Sequence, residues 1–84
     1  MPYIKQGTRT YFTEGIERLT PMIKTEGELN YVITCLVKAF ADAEPGYSVL
    51  ASVTGVLENV KQEFYRRVAV PYEDKKIKEN GDVY

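Results

Sequence analysis

The sequence contains no histidine, no tryptophan and a single cysteine, Cys35, among its 84 residues. Without histidine the commonest general base is missing. A zinc site built from the usual Cys and His ligands cannot be assembled. One cysteine cannot form an intrachain disulfide. No apolar run approaches the roughly 20 residues that span a bilayer, and the N-terminus carries none of the length and flanks of a signal peptide. An excess of charge is lacking too: 11 Lys and Arg face 12 Asp and Glu, for a net charge of −1. Bulk binding of DNA or RNA needs a basic field, so that class is set aside. The expectation is a cytoplasmic protein with no membrane span, no cofactor and no enzymatic activity.

Eighty-four residues suffice for one domain, residues 1–84. A chain this short buries only a little over ~60% of its unfolded surface, and its core supplies no more than about 3–5 kcal/mol. Of the usual supplements, disulfides are excluded and a zinc site nearly so. Self-association remains, so a homo-oligomer is expected.

Hydrophobic periodicity predicts an all-α fold with three helices. Phe12, Ile16, Leu19 and Ile23 mark one face of a helix over about 12–24, disturbed at Thr20-Pro21. Leu29, Ile33, Leu36, Val37 and Phe40 mark a second over about 28–42, ended by Pro45-Gly46. Ser48 reads as the cap of a third over about 48–68. Along it Leu50, Val53, Leu57, Val60 and Phe64 recur in steps of three and four, close to a coiled-coil a/d pattern. Cys35 reads as a small buried apolar residue. Residues 1–10 have no period and read as an extended arm. Residues 71–84 read as a docking tail, in which Asn80-Gly81 favours a type I′ turn and a short β-hairpin.

No catalytic constellation emerges. The carboxylate pairs Glu73-Asp74 and Glu26/Glu28 read as solvated loop charges, and the isolated glycines form no phosphate-cradling motif. Two features rise above this background. Arg66 and Arg67 offer adjacent planar donors suited to phosphate or carboxylate; they would equally complement the helix dipole and pair with Glu63. The seven tyrosines lie mostly off the apolar stripes and combine a stacking face with a polar tip. In a small protein, rim packing explains them as well.

The opening MPYIK, the segment GELNYVIT at 27–34 and the run EFYRRVAVPYEDKKIKENGDVY at 63–84 resemble a family of short uncharacterised proteins of bacteria and tailed phages. The resemblance spans nearly the whole chain and implies no activity. It does single out positions that are not mainly core. Combined with the chemistry above, it makes Asn30, Tyr31, Tyr65, Arg66, Arg67, Tyr72, Lys75 and Lys76 the candidate ligand-binding residues. The leading expectation is a small oligomer, phage-encoded, that sequesters an anionic nucleotide-like molecule at a subunit interface. Very small phage proteins that sequester cyclic-nucleotide signals are similar in outline, an analogy of architecture and not of motif. The alternative is a non-enzymatic structural or adaptor protein that assembles through its third helix and its tail.

Overall fold

In a computed structural model, which describes residues 3–84, the described chain is helical and has no strand. It contains α1 (Gln6–Leu19), a 3-10 turn (Thr20–Met22), α2 (Glu26–Ala43), α3 (Tyr47–Phe64), a π turn (Tyr65–Ala69) and α4 (Val70–Asn80). It forms two compact units, one ending at Val53 and the other spanning Thr54–Tyr84.

In the first unit, α1 starts earlier than periodicity suggests. Of the expected arm, Met1 and Pro2 lie outside the described residues, while Gln6 to Thr10 are helical. The start is tied down by Arg9, whose Nε donates to the Ile4 carbonyl at 3.0 Å. Gly7, Thr8 and Thr10 lie there, and weak helix formers with no apolar period concealed it. The disturbance at Pro21 is present as the 3-10 turn, with Pro21 in its first positions, where its missing N–H costs nothing.

A capping box starts α2. The Thr25 hydroxyl accepts from the Glu28 N–H at 3.1 Å. Glu28 Oε1 accepts from the N–H groups of Lys24 at 2.8 Å and Thr25 at 3.0 Å. The Lys24 amide first, then that of Thr25, holds the Glu28 carboxyl below the usual glutamate range. A depressed carboxylate stabilises above its ordinary range and loses that contribution as pH falls through its lowered value. Thr25→Ala is expected to cost about 1 kcal/mol. In an acid titration followed by far-UV circular dichroism, Glu28→Gln should lack the part of the helix loss that the wild type shows below the ordinary glutamate range.

In the second unit, α3 does not stop short of Pro71. The missing N–H of proline and the clash of its ring with the preceding turn forbid a regular ladder there. The chain answers with one wider turn: the Val70 N–H bonds the Tyr65 carbonyl, five residues back. Helix then resumes as α4, with Pro71 in its first positions. The expected β-hairpin at Asn80-Gly81 is therefore corrected. Asn80 is the last residue of α4, and Gly81, at φ 89°, closes it by donating its N–H to the Ile77 carbonyl at 2.8 Å. A helix C-terminus and a type I′ turn both call on glycine at positive φ, so one dipeptide serves either. Ser48, expected as a cap, lies inside α3, which begins at Tyr47 with the Leu50 N–H on the Gly46 carbonyl.

The apolar stripes exist as helix faces, yet none of the described residues is buried. Phe40 is 66% exposed, Leu57 40% and Phe64 62%. Cys35, expected to be buried, is exposed. No helix among the described residues is long and apolar enough to cross a membrane.

Candidate functional site

Six of the eight candidate residues lie in the π turn or on α4. Glu63 is the anchor. Its Oε2 accepts from Arg66 Nη2 at 3.1 Å and its Oε1 from Arg67 Nη1 at 3.1 Å. The Glu63 side chain is only 21% exposed, whereas both arginines reach well into solvent. One carboxylate thus takes both guanidinium groups, as the pairing alternative foresaw. Two cations and one anion leave a local charge of about +1, weaker than a free arginine pair presents to a phosphate.

Tyr65 is held from the other side. The Glu73 carboxylate, by its charge and then by accepting the phenol hydrogen bond, pushes Tyr65 above the ordinary tyrosine range. Eight helical residues at about 100° each would leave these two side chains about 80° apart. The π turn inserts one residue, so the pair behaves as i,i+7 and comes to one face. Glu63 with its arginines and Tyr65 with Glu73 therefore bracket the wide turn. On α4, Lys76 Nζ lies 5.6 Å from the centre of the Tyr72 ring and also pairs with Glu79 at 3.1 Å.

Tyr65 and Arg66 line an open concavity of about 490 Å³ together with Asn59, Gln62, Glu63 and Val70. Asn59, Gln62 and Val70 were missed from sequence. The signal was available: 59, 62, 63, 66 and 70 fall at i, i+3, i+4, i+7 and i+11, one face of a helix. Arg67, Tyr72, Lys75 and Lys76 are not among the residues that line it.

Asn30 and Tyr31 belong to the other unit. They line a second open concavity of about 490 Å³ with Glu26, Gly27 and Thr34. The Thr34 hydroxyl donates to the Asn30 carbonyl at 2.8 Å and reaches Asn30 Oδ1 at 3.3 Å. The Tyr31 hydroxyl is pushed up, first by its hydrogen bond to the Cys35 sulfur. A third concavity, of about 450 Å³, is lined by Leu19, Met22, Ile23, Tyr31 and Val32 among others, where the 3-10 turn meets α2.

Tyr65 and Arg66 thus line one concavity, and Asn30 and Tyr31 line another. The first two concavities are spaces between side chains along a helix, open to solvent. They present tyrosine rings, side-chain amides and the Arg66 guanidinium. Among the described residues no group of acidic or cysteine side chains is placed to hold a metal ion.

No curated protein and no solved structure matches the chain. A family model for a domain of unknown function, DUF6899, matches residues 1–83, and the chain belongs to that family.

Proposed function

We propose that this chain is a non-catalytic assembly module of the cytoplasm, whose helices obtain their hydrophobic core from other protein chains. One observation supports this most: three helices carry regular apolar stripes, yet none of the described residues is buried. Burial stabilises by about 25 cal/mol per Å² of apolar surface. A chain that buries no side chain fully leaves most of that contribution unused, while ordering each residue costs about 1–2 kcal/mol. Association supplies what is missing, and it makes stability depend on concentration. The melting temperature is expected to rise steadily as protein concentration is raised a hundredfold. A cooperative melt whose midpoint ignores concentration would sink this reading.

A second reading, sequestration of an anionic nucleotide-like molecule by a phage-encoded protein, draws on the concavity at the π turn. Tyr65 offers a stacking face there, beside the Arg66 guanidinium and the side-chain amides of Asn59 and Gln62. Glu63 works against it, because an entering phosphate must compete with that carboxylate for both arginines. Native mass spectrometry with a panel of linear and cyclic nucleotides tests it. Under this reading a discrete ligand mass appears, Glu63→Gln binds more tightly, and Arg66→Ala loses the ligand with no change in subunit number. If no nucleotide adds mass to wild type or to Glu63→Gln, this second reading falls.

A further inference from the structure

We infer that the partners covering the α3 face are further copies of this chain, three or four in parallel, with α3 at the centre of the bundle. This deepens the assembly reading and rests on it. The steps of three and four through Leu50, Val53, Leu57, Val60 and Phe64 assign the positions. Leu50, Leu57 and Phe64 occupy a, and Val53 and Val60 occupy d. In parallel coiled coils, β-branched residues at a with Leu at d favour two strands. The reverse arrangement, Leu at a with a β-branched residue at d, favours three or four. This chain has the reverse arrangement.

Two further observations agree. Val49 and Val56 fall at g and widen the apolar face beyond a two-stranded seam. From Tyr47 to Leu57 there is no charged residue, and the charges that follow, Glu58, Lys61 and Glu63, fall at b, e and g, outside the seam.

The π turn prolongs the seam. In unbroken α-helix the next d and a positions after Phe64 would be Arg67 and Pro71. The inserted residue advances the register by one, placing Val68 and Tyr72 there instead. Both are exposed in the single chain. Arg66 falls outside the seam, so the concavity at the π turn and the assembly face are separate surfaces.

Sedimentation equilibrium and native mass spectrometry of the wild-type chain provide the test. The expected mass is three or four times 9.6 kDa, about 29 or 38 kDa. A monomer or a dimer overturns the inference. A monomer that melts without cooperativity overturns only the self-pairing, and the assembly reading continues with a foreign partner. A monomer that melts cooperatively overturns both. The second arm exchanges the positions: Leu50→Ile, Val53→Leu, Leu57→Ile and Val60→Leu together. This variant keeps the apolar face and restores the two-strand pattern, so its mass should fall to two subunits. If it retains the wild-type mass, the α3 seam does not set the assembly, and the inference fails.

Discussion

Leu57→Asp is expected to dissolve the assembly and, with it, much of the helix. In the single chain Leu57 is 40% exposed, and a substitution at such a site ordinarily changes stability by no more than about 0.5 kcal/mol. At the middle a position of a bundle the same carboxylate is buried without a partner in every copy. An uncompensated buried charge costs about 3–5 kcal/mol. The two settings therefore differ by severalfold for one substitution, which makes the variant a clean discriminator. Helix loss follows because α3 is a weak helix on its own. Its 18 residues include Gly55, Thr54 and four valines, all poor formers, and isolated helices of modest length are marginal in water. The measurements are mass and far-UV circular dichroism at one concentration. Leu57→Asp with wild-type mass and helicity would mean that the α3 face is not covered.

Pro71→Ala is the second large effect. Proline inside a helix costs about 3 kcal/mol relative to alanine. The π turn relieves the clash at the expense of one widened ladder position. With alanine the reason for the wide turn is gone, and regular α-helix should run from α3 into α4. Every residue beyond then rotates by about 100° relative to α3. Arg67 replaces Val68 on the seam, and Glu73 leaves the face of Tyr65. The readout is an alkaline titration of tyrosine absorbance. In the wild type the Glu73 carboxylate holds Tyr65 above its ordinary range. Its contribution is therefore present below that range and is lost as pH rises through the raised value. Pro71→Ala should return Tyr65 to the ordinary range and abolish that alkaline loss, and Glu73→Gln should do the same without disturbing the turn. If Pro71→Ala leaves Tyr65 raised, the turn has another cause.

The same residues explain what was legible in the sequence. The stripes of α2 and α3 were readable because apolar spacing at 3.6 residues is a local property of a helix. The break at Pro21 was readable because proline constrains its own backbone whatever surrounds it. The capping box of Thr25 and Glu28 is equally legible, as Thr-x-x-Glu ahead of an apolar run. The tail was misread because Asn80-Gly81 reports only that a positive φ is permitted, and α4 on its N-terminal side decides that it ends a helix. The candidate site was half legible. Tyr65, Arg66 and their pairing with Glu63 follow from residue chemistry and helical spacing, but Glu73 reads as a loop charge until the wide turn brings it to Tyr65.

The sequence by itself determined that this is a helical protein, where its apolar faces run, and that it lacks the residues for a disulfide or a histidine-based site. Those properties depend on residue types and on spacing along one chain. Only the tertiary structure decided that the faces stay open, that Pro71 widens the helix and does not end it, and that one extra residue in the turn carries Val68 and Tyr72 round to the stripe of α3. Burial and register are sums over neighbours in space, and no local pattern contains them.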